Sequence, residues 1–282
     1  MRVRRALLLM LLFVSIVFPK AAISAEKPLW EVGVGFAALL LPDYRGSNEY
    51  RFYPLPYPYF IYRGDVLKVD EHNISGRIFK TDRILLDISF YGYVPVKASN
   101  NTAREGMPDL DPTFEIGPAI IINLLKNKED KYKLNLNLPV RAVFSTNFSY
   151  VRHEGWVFAP RLNFEKDDII PQTGLNFGIS AGPMFADSGY HEYFYTVDPA
   201  YATVARPAYS AGGGYSGSTF SIGLSKAYSQ FIFGAFVSAD FLQGAVFENS
   251  PLVKTDTSFM TGISITWVFF KSAKTVVVDK YK

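Results

Sequence analysis

Acid–base chemistry in this sequence would have to be organised around His72, His153 or His191, its three histidines. A serine nucleophile needs one of them as a base within hydrogen-bond reach. His72 lies in Asp70-Glu71-His72-Asn73-Ile74-Ser75, with Ser75 close in sequence. His153 has Glu154 beside it and Ser149 in the preceding turn, and His191 is flanked by Asp187, Tyr190 and Glu192. None of these spacings demands catalysis; a polar histidine near a turn or strand end is the ordinary alternative. The three do not make a His-x-His ligand pattern, cysteine is absent, and no glycine-rich phosphate loop opens a helix. The expectation is a chain that is not an enzyme, with no catalytic residue, cofactor or metal.

The charged residues say more. Glu31, Arg77, Asp87, Glu115, Lys133, Arg141, Arg161, Glu165 and Asp240 each fall on the polar face of a segment whose alternate positions are apolar. In residues 133–144, Leu134, Leu136, Leu138, Val140, Ala142 and Phe144 oppose Lys133, Asn135, Asn137, Pro139, Arg141 and Val143. Residues 113–124, 156–165 and 175–182 repeat this period of two, which is the mark of β-strands with two unlike faces. If the apolar faces meet lipid, the charges point inward. Their mixed signs then suggest mutual neutralisation, because an unpaired buried charge costs several kcal/mol. They would plug a narrow interior or line a narrow pore.

A soluble sandwich shows the same alternation. Three features favour a membrane barrel. The runs exceed the usual soluble strand of about 5–6 residues and reach the 9–11 or so that a tilted strand needs to cross a bilayer. The chain is rich in aromatics, with 24 Phe, 18 Tyr and 3 Trp, and they gather near strand ends as a membrane girdle requires. The opposite faces mix Gly, Ser, Asn and charges of both signs.

The first 25 residues read as a secretory signal: Arg2, Arg4 and Arg5, then an uncharged run at 6–18, then Ala21-Ala22-Ile23-Ser24-Ala25. A membrane anchor is the other reading, but it would need about 20 apolar residues. Cleavage falls after Ala25 or Ser24. Four of the 29 basic residues lie in this leader and none of the 26 acidic ones, so the mature chain is close to neutral. No basic face remains to argue for nucleic acid.

Strands are expected at 30–41, 51–62, 66–79, 83–96, 113–124, 133–144, 156–165, 174–185, 216–226, 231–242 and 256–269. That is an odd number, whereas bacterial single-chain barrels have an even one. Residues 201–210 are the best candidate for a further strand. The expected fold is therefore all-β, a closed antiparallel transmembrane β-barrel of twelve strands, with ten as the alternative. It would span 26–270 after a signal peptide at 1–25 and before a tail at 271–282. The tail is either a periplasmic extension or a final strand of its own.

The loops carry a resemblance. Pro42-Asp43-Tyr44-Arg45-Gly46-Ser47 comes after the first strand, and Leu110-Asp111-Pro112-Thr113-Phe114-Glu115-Ile116-Gly117-Pro118 and Ser180-Ala181-Gly182-Pro183 come later. After these come Tyr193-Phe194-Tyr195-Thr196-Val197, Arg206-Pro207-Ala208-Tyr209, Gly212-Gly213-Gly214-Tyr215 and Ser250-Pro251-Leu252-Val253. In this order they resemble the MipA/OmpV family, the MltA-interacting outer-membrane proteins. The resemblance spans essentially the whole mature chain. It implies residence in the outer membrane and a scaffold role in cell-wall remodelling, bridging a lytic transglycosylase and a peptidoglycan synthase. It supplies no catalytic set to carry over. Each motif also reads as turn chemistry, since Pro fixes φ and Gly supplies a positive one.

On this reading the partners are outer-membrane lipid and those two enzymes, reached by export through the inner membrane. The longer loops at 97–112, 187–214 and 243–255 are candidate partner surfaces, with Tyr190, Tyr193, Phe194, Tyr195 and Tyr201 gathered in one of them. The competing function is a narrow passive pore for small polar solutes or antibiotics.

Overall fold

The computed structural model describes residues 26–64, 67–69, 74–81, 83–147 and 149–277, with the backbone alone at 67–69 and 74–80. The expected signal peptide, His72 and the side chain of Arg77 lie outside the described residues.

The period-two segments form the strands that their alternation dictates. They are β1 (Glu26–Pro28), β2 (Trp30–Pro42), β3 (Tyr50–Arg63), β4 (Leu67–Val69), β5 (Ile74–Lys80), β6 (Ile84–Tyr93), β7 (Thr113–Asn127) and β8 (Tyr132–Thr146). Then come β9 (Val151–Phe158), β10 (Arg161–Lys166), β11 (Leu175–Ala186), β12 (Gly214–Tyr228), β13 (Phe231–Phe241), β14 (Thr257–Lys271) and β15 (Thr275–Val277), and among the described residues one α-helix, α1 (Ser188–Tyr195), lies between β11 and β12. Among the described residues every ladder is antiparallel. β14 pairs β2, and pairing proceeds in sequence order from β2 to β9 and from β10 to β14. β10 also pairs β8, and β9 also pairs β11. β9 and β10 therefore run in one line between β8 and β11, interrupted at Ala159-Pro160.

Two expectations need correction. The single strand expected at 66–79 is two strands, β4 and β5, with Val69 paired to Ile74; residues 70–73 lie outside the described residues. Residues 201–210 are not a strand. Asp198 caps a short 3-10 turn at Pro199–Tyr201, and a lone bridge joins Val197 to Tyr209. Pro207 lacks the N–H that a ladder needs, and the Arg206 guanidinium is held by the carbonyls of Ala103, Glu105 and Tyr201.

The sheet has one exposed apolar face and one enclosed polar face. Val34, Phe36 and Leu40, then Phe114, Ile116 and Ile120, then Ile263, Ile265 and Trp267 are exposed. Their alternates Asp87, Ser89, Glu115, Asn135, Arg141, Ser238, Asp240 and Thr266 are buried on the inner face. A water-soluble sheet would put these the other way round. Glycine makes room inside: a Cβ on Gly35 would fall 2.1 Å from the ring of Tyr57, whose hydroxyl reaches Thr266 Oγ1 at 2.6 Å.

The strands run between two unlike ends. One end holds the ladder of β1 with β15, which joins the two termini of the described chain, and the short connections at 128–131 and 229–230. The opposite end gathers 43–49, 94–112, 187–213 and 242–256 into a cap. Its core is Tyr44, Val96, Leu110, Tyr190, Phe194, Tyr195, Leu242, Phe247 and Leu252, packed on inward strand residues such as Val143 and Val157. Phe247 lies flat on Tyr195, with ring centroids 3.6 Å apart and planes 7° from parallel.

The cap is thus a small hydrophobic core seated on the strand ends. Phe247→Ala is expected to cost about 3–5 kcal/mol, as for other buried Phe truncations. The measurement is a lowered urea midpoint for refolded protein. The heat-modifiable electrophoretic mobility that reports an intact sheet should remain.

Candidate functional site

Beneath the cap lies a cavity of about 390 Å3, lined by inner-face residues of the sheet and by the loop after β2. Leu39, Leu41, Phe236 and Met260 form an apolar side; Arg45, Glu115, Arg141, Arg161 and Asp240 supply charge.

Arg45 comes down from the β2–β3 loop. Its Nε stands 3.3 Å from Asp240 Oδ2, and its Nη1 donates to Ser216 O at 2.8 Å and to Met184 Sδ at 3.0 Å. Asp240 Oδ1 accepts from Thr219 Oγ1 at 2.6 Å, across the β12–β13 ladder. Gly46 makes the loop's descent feasible: it sits at φ +89°, where a side chain is strained, and its carbonyl accepts from Lys254 N and Thr255 N. Arg141 forms the second pair, donating from Nε to Glu115 Oε2 at 2.7 Å and from Nη1 to Ser89 Oγ at 3.3 Å, and it lies over the Tyr91 ring. The Arg161 side chain makes no hydrogen bond or ion pair among the described residues.

The other inner-face charges stand elsewhere. Lys133 meets Glu165 at 2.9 Å, and Glu31 meets Arg63 at 2.7 Å near the termini, away from the cavity. Asp87 is buried and accepts from Ile88 N. The cavity therefore gathers Glu115, Arg141, Arg161 and Asp240 of the nine charges singled out in the sequence. Sequence reasoning passed over Arg45, because Asp43-Tyr44-Arg45-Gly46 reads as a turn. The same loop also holds a buried Asp43, bonded by Arg51 Nε at 2.6 Å and Asn101 Nδ2 at 2.8 Å. A turn with two opposite charges around an aromatic was the available signal.

The aromatic segment expected as a partner surface is largely interior. Tyr190, Phe194 and Tyr195 are buried in the cap, and Tyr193 is half-buried, donating from its hydroxyl to Asp111 O at 2.9 Å; Tyr201 alone stays exposed. The reason is the hydrophobic effect: α1 closes the end of the sheet, and its rings are what fill the mouth.

His191 on α1 is fully buried. Its Nδ1 lies 2.6 Å from Gly212 O, so Nδ1 carries the proton, and Nε2 accepts from Ser216 Oγ at 2.6 Å. This is a Ser–His pair in bonding geometry. Both residues are wholly enclosed, with the Phe247 ring 4.9 Å from the imidazole, so no substrate carbonyl can reach Ser216. Burial holds the imidazole below its ordinary pKa. His153 is exposed and packs edge-on against Phe144 and Trp156.

The profile of the family described as MltA-interacting protein MipA matches residues 34–269. No curated protein matches the chain. Among solved structures, the toluene transporter TodX of Pseudomonas putida aligns at 7% identity and TM-score 0.30, over 89% of this chain and 69% of that one. The outer membrane protein OprG of Pseudomonas aeruginosa aligns at 8% and 0.24, over 86% and 94%. A FadL homologue of Pseudomonas aeruginosa aligns at 8% and 0.31, over 86% and 91%.

The site's electrostatics give two expected outcomes. Arg141→Met strands the Glu115 carboxylate and should cost about 3–5 kcal/mol, the usual penalty for breaking a buried pair. Adding Glu115→Leu should recover most of it, read by urea unfolding of the two variants. His191 stays neutral when folded but protonates near its ordinary pKa when unfolded. Its contribution is therefore fully present above about pH 6.5 and is lost as pH falls below that value toward the lowered folded pKa. His191→Gln should flatten stability against pH across that window.

Proposed function

The chain belongs to the MltA-interacting protein MipA family, and from that premise we propose that it is an outer-membrane barrel, not an enzyme, that docks cell-wall remodelling enzymes at the end bearing its termini. On this reading the sheet closes on itself as twelve strands, with β9 and β10 counted as one. The apolar faces meet lipid, and the termini and short turns stand in the periplasm, as in other barrels of this type.

What supports the reading is the exposed apolar belt together with the sealed far end. With periplasmic termini, the long loops at 97–112, 187–214 and 243–255 lie on the outer side, where no cell-wall partner can meet them, and their aromatics are consumed in the cap. The docking face is then the β1–β15 ladder and the short turns near it. The partner classes are a lytic transglycosylase, after the family's description, and a peptidoglycan synthase. The 390 Å3 cavity keeps a narrow pore as the second reading, although the cap stands across its route.

Two measurements decide between them. Tagged protein in mild detergent should capture a purified lytic transglycosylase of the MltA class, and removing residues 272–282 should weaken capture at least tenfold. Capture that is absent, or indifferent to that removal, sinks the docking reading. In planar bilayers the protein should show no sustained conductance; steady ohmic channels would establish the pore instead.

A further inference from the structure

The cavity beneath the cap is lined by polar atoms that the protein leaves unmatched. Arg45 is 4% exposed. Its Nε faces Asp240 and its Nη1 is taken up by Ser216 O and Met184 Sδ, but its Nη2 has no hydrogen-bond partner among the described residues. Glu115 is 1% exposed. Its Oε2 accepts from Arg141 Nε at 2.7 Å, whereas its Oε1 is buried with no donor among the described residues. Both residues line the same cavity. Buried polar groups are as a rule hydrogen-bonded, because an unmade bond forfeits the group's hydration. An orphaned donor and an orphaned acceptor on one cavity wall therefore specify an occupant that accepts at one point and donates at another.

Charge adds a third requirement. Arg45 and Arg141 are matched by Asp240 and Glu115, and Asp43, also on the lining, is matched by Arg51. That leaves Arg161, whose side chain has no hydrogen bond or ion pair among the described residues, as a surplus positive charge. Glu115 lies in the field of both Arg161 and Arg45, so the surplus charge and the two orphaned atoms share one electrostatic neighbourhood.

The rest of the wall is apolar, with Leu39, Leu41, Phe236 and Met260, and the volume of about 390 Å3 suits a small ligand. Simple occupants each fail one requirement. Water bonds donors and acceptors alike but brings no negative charge. A plain carboxylic acid in its ionised form has no donor for Glu115. A zwitterionic amino acid has the donor but no net charge.

We propose that the cavity is a binding site for a small hydroxycarboxylate with an apolar body. The carboxylate is held by Arg45 Nη2 and Arg161, the hydroxyl donates to Glu115 Oε1, and the body lies against Leu39, Leu41, Phe236 and Met260. This site goes beyond enzyme docking and depends neither on docking nor on closure of the sheet.

Two methionines report occupancy: Met184 and Met260 line the cavity, whereas Met107 packs in the cap. The full chain, labelled with 13C at its methionine methyls, is refolded in detergent with graded 3-phenyllactate present throughout, so that occupancy does not depend on a path through the cap. The Met184 and Met260 resonances are expected to shift saturably while that of Met107 stays in place. On the unaltered chain, 3-phenylpropanoate, which lacks the hydroxyl, and 3-phenylpropane-1,2-diol, which lacks the charge, should each need at least tenfold more ligand for the same shift. Phenylalanine should also be weaker. Arg161→Gln should weaken phenyllactate at least tenfold and Arg161→Lys should restore most of it; should the glutamine variant not refold, the ligand series decides. No saturable shift at Met184 and Met260 overturns the proposal. So does a response to 3-phenylpropanoate or to the diol equal to that for phenyllactate, or one indifferent to Arg161.

Discussion

The structure depends most on a guanidinium taken out of water. Arg45 is almost fully buried, and an arginine keeps its charge there, so it must be met by a carboxylate and by acceptors in fixed positions. Asp240 supplies the charge from β13, Ser216 O supplies an acceptor from β12, and Thr219 steadies the carboxylate. Because Arg45 belongs to the first long loop, meeting this requirement draws that loop below the rim. Tyr44 is drawn down with it, bonding Leu252 O at 2.8 Å, and Tyr195 bonds Arg45 O at 3.0 Å. One desolvated charge thus ties the first loop, α1 and the loop before β14 to the wall.

Once the cap is in place, the division of labour between the two ends is set. The capped end has few free aromatic side chains, because its rings are stacked in a common core. The opposite end keeps a short ladder between the chain's two ends and compact turns. On the inner face between them, a buried charge needs a partner. Arg141 with Glu115 and Arg45 with Asp240 obey that rule, and Arg161 departs from it. An unpaired arginine in an amphipathic cavity is the place where the structure leaves an electrostatic requirement to something else. Pro54, Pro56 and Pro58 take ladder donors away from the edge of β3 that faces away from β2.

Much of this was legible in the sequence. The strict alternation in β7, β8 and β14 decides which face is apolar, since a one-residue slip would turn every Leu and Phe inward. The same parity assigns Glu115, Arg141 and Asp240 to the inner face without any coordinates. Less legible were the two strands within 66–79, where alternation runs on without a break, and the segment 201–210, of which only Tyr209 packs on the cap core. The aromatics of α1 read equally well as a surface or a core, because ring content says nothing about which side of a loop is covered.

Local pattern determines what depends on neighbours along the chain: strand identity, which face is apolar, and the proline spacing that removes ladder donors from one edge of β3. Tertiary structure alone decided what depends on residues far apart in sequence. Arg45 finds Asp240 from the other end of the chain, Tyr195 stacks on Phe247, and His191 is sealed against Ser216. These contacts arise because loop residues pack where desolvation leaves room for them, and no period in the sequence records where that room will be.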